Sequence, residues 1–87
     1  MGTVKIFYKD SCPLCPLAKK LKGSLEEQNI GVQDYNVETA EGLAEATFYK
    51  VMALPSIFVE DEAENWLGEW RGNVPGMEEV LNIVNSR

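Results

Sequence analysis

The sequence predicts an α/β fold in the order βαβαββα, with a four-stranded mixed sheet flanked by helices on both faces. Apolar runs of strand length alternate with stretches whose apolar residues recur every three or four positions. The last two strands are separated only by a polar turn, which predicts an antiparallel hairpin. With 87 residues, the chain is expected to form one domain spanning residues 1–87.

The first strand and first helix are the clearest elements. Thr3 to Lys9 contains apolar residues at every position but one from Val4 to Tyr8, which predicts a central strand buried on both faces. Ser11 is expected to cap the following helix, and Pro13 suits its first position. The helix should reach about Gln28, with an inner stripe formed by Leu14, Leu17, Ala18, Leu21 and Leu25.

The next strand and helix complete a right-handed parallel crossover. Val32 to Val37 is less apolar than the first strand, which favours a position at the sheet edge. Thr39 can cap a second helix from about Ala40 to Lys50. Its inner side is predicted to carry Leu43, Ala44, Thr47, Phe48 and Val51.

A hairpin and a third helix close the chain. Ile57 to Val59 and Trp66 to Arg71 are the predicted strands. Their spacing places Trp66 and Trp70 on one side of the last strand, where core packing is the expected role. Pro75 can open the third helix, whose apolar stripe comprises Met77, Val80, Leu81, Ile83 and Val84.

Charge and hydropathy narrow the classes of partner. The chain has 14 acidic and 8 basic residues, a net charge of −6 that argues against a nucleic-acid partner. No hydrophobic run is long enough to cross a bilayer, and the amino terminus lacks a signal-peptide pattern. We therefore expect a cytoplasmic monomer with no membrane partner. Five acidic residues are expected to lie in or near a solvated turn: Glu60, Asp61, Glu62, Glu64 and Glu69.

The two cysteines, in Cys12-Pro13-Leu14-Cys15, lie where the first strand gives way to the first helix. A bridge across so short a loop would stabilise the fold little, so a redox role is the better interpretation. A helix amino terminus stabilises a thiolate, the form that attacks a disulfide. We predict that Cys12 attacks and that Cys15, one turn on and more buried, resolves the mixed disulfide.

Lys9 lies three residues before Cys12. It can support the thiolate or hold a carboxylate of the substrate, and the alternative is a lysine that keeps a strand end soluble. A self-contained zinc site would need four ligands, and the chain has no histidine and no third cysteine. We therefore expect no metal site within one chain and no tightly bound cofactor, and a metal shared between two chains is the alternative.

The element order, the Cys-x-x-Cys pair and the later Leu54-Pro55 together resemble the thioredoxin-like superfamily. The chain length, Lys9 and the Cys-Pro-x-Cys form are similar to glutaredoxins. The resemblance implies that the bond before Pro55 is cis and that the backbone beside it pairs with the substrate main chain. It also implies that Pro13 and Leu14 border the substrate site.

The chain departs from the glutathione-binding pattern of glutaredoxins at Leu14, Ala53 and Asn73, and Ile6 stands where thioredoxins have a buried Asp. The expected function is reduction of protein or small-molecule disulfides, with glutathione or a reductase as electron donor. One alternative is an iron–sulfur module that dimerises through Cys12 and an external thiol. Another is a purely structural disulfide.

Overall fold

The computed structural model describes residues 2–11, 13–63 and 65–84. It confirms the predicted α/β class and the predicted element order. None of its helices is long and apolar enough to span a bilayer within those ranges. The elements are β1 (Thr3–Tyr8), α1 (Cys15–Glu27), β2 (Gly31–Asn36), α2 (Ala40–Phe48), β3 (Ser56–Glu60), β4 (Trp66–Arg71) and α3 (Met77–Val84).

The four strands form one mixed sheet in the order β2-β1-β3-β4. β1 pairs with β2 in parallel and with β3 antiparallel, and β3 pairs antiparallel with β4. The central position of β1 and the edge position of β2 are confirmed. Ser56 lies opposite both Phe7 and Arg71, so the carboxyl ends of β1 and β4 meet the amino end of β3. We call this the site end of the sheet.

The two faces of the sheet bury different side chains. On the aliphatic face, α1 and α3 pack through Ala18, Leu21, Leu25, Val80 and Val84 against Val4, Ile6, Ile57 and Val59. On the aromatic face, α2 packs through Ala46, and the buried residues beside it are Phe7, Tyr49 and Phe58. The pleat of β1 sends alternate side chains to opposite faces, which accounts for this division.

The start of α1 differs from the prediction that Ser11 caps it and Pro13 opens it. The helix begins at Cys15, and its N-cap residue, Leu14, makes no side-chain capping bond. A side-chain cap is less needed here because Pro16, in the first turn, has no N–H to satisfy. The N–H of Leu17 donates to the Leu14 carbonyl at 3.1 Å. Leu14 and Leu17 are exposed, so their predicted places in the inner stripe are wrong.

The inner face of α2 also differs from the prediction. The cap is confirmed, since Thr39 Oγ1 accepts from the Gly42 N–H at 3.0 Å. However, the helix packs through Gly42 and Ala46, whereas Leu43 is exposed and Phe48 is 76% exposed. A Cβ at position 42 would collide with the carbonyl of Asn36. The close approach of helix and strand therefore selects the small residues for the inner face.

The prediction that Trp66 and Trp70 share one side of β4 is wrong. An irregularity in the pairing of β3 with β4 places Glu60 opposite Trp66 but Val59 opposite Gly68. The extra residue reverses the alternation of side chains between the faces. Trp70 packs on the aliphatic core, whereas half-exposed Trp66 stacks on Tyr49 with ring centroids 5.6 Å apart.

Candidate functional site

The cysteine motif lies at the amino end of α1. Cys12, the predicted nucleophile, lies outside the described residues. Pro13 and Leu14 form an exposed turn before the helix. Cys15 is the first residue of α1 and is only 2% exposed. The side chain of the second cysteine of the motif is therefore shielded from solvent by the protein.

The surroundings of Cys15 suit sulfur chemistry. α1 has 13 residues, and Cys15 lies at its amino end, which is the positive end of the helix dipole. This end of the helix favours negative charge by about 0.3–1 kcal/mol, or up to about 2 kcal/mol in partly buried geometry. A thiolate formed at this end of the helix is stabilised in the same way.

Leu54 and Pro55 form the second predicted part of the site. Their peptide bond is cis, as the resemblance implied. Pro55 is buried directly before β3, and half-buried Leu54 packs on the buried residues of the aromatic face. The Ser56 hydroxyl donates to the Ala53 carbonyl at 2.6 Å and closes the turn around this pair. Because Ser56 pairs with Phe7, the turn lies at the site end of the sheet.

Gly72, the residue after β4, contacts the Leu54-Pro55 turn. The N–H of Gly72 donates to the Pro55 carbonyl at 2.9 Å. Gly72 has φ +79°, a conformation that glycine adopts without strain. A Cβ at position 72 would lie 3.3 Å from the Ala53 Cβ, so a larger residue would also press on the turn.

Lys9 directly follows β1 and is half-buried. It forms no ion pair with any residue in ranges 2–11, 13–63 and 65–84. A second cation lies nearby, since the Lys19 ammonium stands 5.0 Å from the centre of the Tyr8 ring, at the end of β1. Lys9 follows β1 and Pro55 precedes β3. Because Phe7 of β1 pairs with Ser56 of β3, Lys9 and Pro55 lie at the same end of the sheet.

A buried polar group on the aromatic face was not predicted. Lys5 Nζ lies 3.3 Å from a Glu60 carboxylate oxygen and donates to the Tyr49 hydroxyl at 2.7 Å. That hydroxyl donates to the other Glu60 oxygen at 2.6 Å. The side chains of Lys5 and Glu60 are 13% and 4% exposed. We call these three residues the polar triad.

The polar triad perturbs its own members. Burial lowers the pKa of Lys5, but the hydrogen bond with Tyr49 and the charge of Glu60 outweigh burial and raise it well above its usual value. Burial raises the pKa of Tyr49, and the hydrogen bond to Glu60 raises it further against the opposing effect of Lys5. At neutral pH, Lys5 is therefore charged and Tyr49 is neutral.

The prediction of an acidic solvated turn is wrong for Glu60, which is the buried last residue of β3. The sequence signal for the triad was Lys5, the single charged residue inside an otherwise apolar strand. A charge buried on a sheet face needs a partner, and β3 supplies it. Tyr49 was missed because the inner face of α2 was misassigned.

Within ranges 2–11, 13–63 and 65–84, no group of three or more His, Cys, Asp or Glu side chains could hold a metal ion.

Comparison with solved structures shows the fold. Thioredoxin 1 from Thermosipho africanus matches with a TM-score of 0.76 and 18% identity, over 97% of this chain and 91% of that chain. A single-substitution variant of thioredoxin from Halobacterium salinarum matches with a TM-score of 0.82 and 22% identity, over 98% of this chain and 73% of that chain.

Sequence comparison gives the family. A probable thioredoxin from Archaeoglobus fulgidus is 30% identical over 63 residues, which cover 71% of this chain and 69% of the relative. The sequence profile of the thioredoxin domain matches residues 2–85. This match extends over both the cysteine motif and the Leu54-Pro55 turn, and the chain belongs to the thioredoxin domain family.

Proposed function

We propose that this protein is a dithiol–disulfide oxidoreductase in which Cys12 attacks the substrate and Cys15 resolves the intermediate. Membership of the thioredoxin domain family supports a thiol–disulfide redox role in general. The observation that carries the assignment of roles is the burial of Cys15 at the first position of α1, behind the exposed Pro13 and Leu14.

The reaction has two exchange steps. The Cys12 thiolate attacks one sulfur of the substrate disulfide, that bond breaks, and the departing substrate sulfur takes up a proton. The Cys15 thiolate then attacks the Cys12 sulfur and releases the second substrate sulfur, which is also protonated. Two electrons have then passed to the substrate, and the protein holds a Cys12–Cys15 disulfide.

Substrate binding is assigned to the site end of the sheet. The backbone beside Pro55 pairs with the main chain of a peptide substrate, and Leu14 with Pro13 contacts the groups flanking its disulfide. Lys9 supports the Cys12 thiolate or holds a substrate carboxylate. The half-buried position of Lys9 without an ion pair in the described part of the chain supports this assignment.

The reduced state must be regenerated by an electron donor. Glutathione and a thioredoxin reductase are the two proposed donors, acting on a cytoplasmic monomer. Turnover with glutathione plus glutathione reductase should be compared directly with turnover by thioredoxin reductase. The donor that sustains the higher kcat/KM is the physiological class.

The assignment of the cysteines is tested with Cys12→Ser and Cys15→Ser. Cys12→Ser should abolish reduction of insulin disulfides, because the attacking thiol is removed and the remaining thiol, that of Cys15, is buried. Cys15→Ser should accumulate a mixed disulfide with the substrate, visible by mass spectrometry, because the resolving thiol is missing. Ser11→Ala, an exposed neighbour without sulfur, is the control and should retain activity. Full activity of Cys12→Ser would disprove the proposal.

A further inference from the structure

From the contacts of β4, we infer that Arg71 is a positioning residue that holds the docking segment, residues 50–55, in place for the main chain of a peptide substrate. The inference rests on the proposed function, because it assigns substrate docking to Leu54 and Pro55. Arg71 itself is not placed in contact with the reacting sulfurs.

The guanidinium of Arg71 reaches across the sheet to the end of α2. Its Nη1 donates to the Lys50 carbonyl at 3.0 Å, and its Nη2 donates to the Tyr49 carbonyl at 3.4 Å. Its Nε donates to the Glu69 carboxylate. The group also lies over the Phe58 ring, 5.1 Å from the ring centre. Four contacts in different directions therefore fix the orientation of one planar fork.

The carbonyls that Arg71 binds belong to the point where the chain leaves α2. The N–H of Val51 donates to the Ala46 carbonyl at 2.9 Å, and Lys50 has φ 56°, in the left-handed region. A residue with a side chain adopts that conformation at a cost of about 1–3 kcal/mol. The carbonyl of the C-cap residue, Tyr49, is one of the last carbonyls of the helix, which lack partners within it, and Arg71 donates to it and to the carbonyl of Lys50 just beyond the helix.

The docking segment has little packing of its own in its middle. Met52 and Ala53 are exposed, and Met52 almost completely so. β4 contacts the segment at both of its ends: the Arg71 side chain binds Lys50, and the next backbone N–H, that of Gly72, binds Pro55. Loss of the Arg71 contacts would loosen the first end, which keeps the bond from the Val51 N–H to the Ala46 carbonyl, while the second end stays attached.

Tyr49, the residue before the docking segment, is fixed by hydrogen bonds of both its side chain and its backbone. The Tyr49 hydroxyl is bound in the polar triad, and its carbonyl accepts from Arg71. The segment therefore starts from a residue held on both sides. Removal of the guanidinium should loosen residues 50–55 without unfolding α2 or the sheet.

The test uses Arg71→Gln, with Lys22→Gln as a matched control. Lys22 and Asp34 form an ion pair at 3.3 Å, with side chains 30% and 35% exposed. Arg71 and Glu69 are similar, with 36% and 41% exposed. Each variant removes the cation of one partly exposed ion pair. The Lys22 pair links α1 to β2, which is separated from β3 by β1, so it does not contact the docking segment. Arg71→Lys is the conservative variant, since it keeps the charge but loses the planar fork.

The functional measurement is a single turnover of the pre-reduced protein, quenched by thiol alkylation and read by mass spectrometry. Insulin serves as a disulfide with a peptide main chain, and hydroxyethyl disulfide as one without. In Arg71→Gln, the concentration of insulin at half-saturation should rise about threefold to tenfold, as expected for loss of a partly exposed charged hydrogen-bond donor. The rate with hydroxyethyl disulfide should change less than about twofold. Arg71→Lys should fall between wild type and Arg71→Gln.

Hydrogen exchange of the full chain provides a readout that does not depend on activity. Amide exchange in residues 50–55 should accelerate about tenfold in Arg71→Gln relative to Lys22→Gln, with the core strands unchanged. Unchanged exchange would overturn the positioning role. Faster exchange with an unchanged ratio of the two disulfide reactions would overturn its effect on docking. If wild type reacted with neither disulfide, the proposed function would fail, and the exchange data would still decide on Arg71.

Discussion

The two faces of the sheet are built on different physical principles. The aliphatic face joins two helices through branched side chains and alanine, and these contacts have no preferred direction. The aromatic face joins one short helix through three rings in tilted or edge-to-face contact, Phe7, Tyr49 and Phe58, and through the polar triad. Its hydrogen bonds and ring contacts depend on orientation. One face therefore provides mainly burial, and the other also fixes the direction of α2.

This difference matters because the two halves of the proposed site come from opposite faces. Cys15 starts α1, whose buried residues lie on the aliphatic face. Leu54 follows α2 and packs on the buried residues of the aromatic face. The two halves share the site end of the sheet only because β1 and β3 pair in the observed register. Non-directional packing anchors the sulfur chemistry, and directional contacts anchor the segment proposed to dock the substrate.

The largest expected effect is on the polar triad. Lys5→Met leaves the Glu60 carboxylate buried without its cation, which should lower the free energy of unfolding by about 3–5 kcal/mol. Urea denaturation at neutral pH measures this. Lys5→Met combined with Glu60→Gln should lose less than Lys5→Met alone, because no charge is then left uncompensated. A double variant that loses the sum of both single losses would show that the pair is not coupled.

A substitution on the aliphatic face should change only the stability of the protein. Leu25 is fully buried, and Leu25→Ala should lower the free energy of unfolding by about 3 kcal/mol through lost transfer energy and the remaining cavity. Because the contacts there do not orient α2, amide exchange in residues 50–55 should follow only the global change. Selective loosening of that segment in Leu25→Ala would remove the distinction between the two faces. Leu17→Ala is the control, since Leu17 is exposed on the same helix.

The smallest expected effect concerns alkaline pH. The folded pKa values of Lys5 and Tyr49 are both raised, so their contributions are fully present below the unfolded pKa values, near 10. Stability should be flat near neutrality and fall as pH rises above about 10. Tyr49→Phe should lose about 1 kcal/mol at neutral pH and show a shallower alkaline fall. Thermal melting from pH 7 to 11 in about one-unit steps tests both. An unchanged alkaline slope would exclude Tyr49 as a contributor.

Much of this fold follows from local patterns in the sequence. The unbroken apolar run of β1 predicted its central position, and the more polar β2 predicted the sheet edge. The cap at Thr39 and the left-handed Asn29 at the end of α1 agree with the turn chemistry of those residues. The Cys-x-x-Cys spacing placed Cys15 within the first turn of α1, although the helix begins at Cys15 and not at Pro13, and the resemblance placed a cis bond before Pro55.

The sequence by itself determined the class, the element order and the position of the second cysteine, since these depend on periodicity and on spacing within one turn. Only the tertiary structure decided which face of α2 is buried, because the steric limit at Gly42 arises from the backbone of another element. The same holds for the two tryptophans, which an irregularity in strand pairing separates. Arg71 gained its proposed role only through carbonyls 21 and 22 residues away. Long-range register, which no local pattern encodes, brings such groups together.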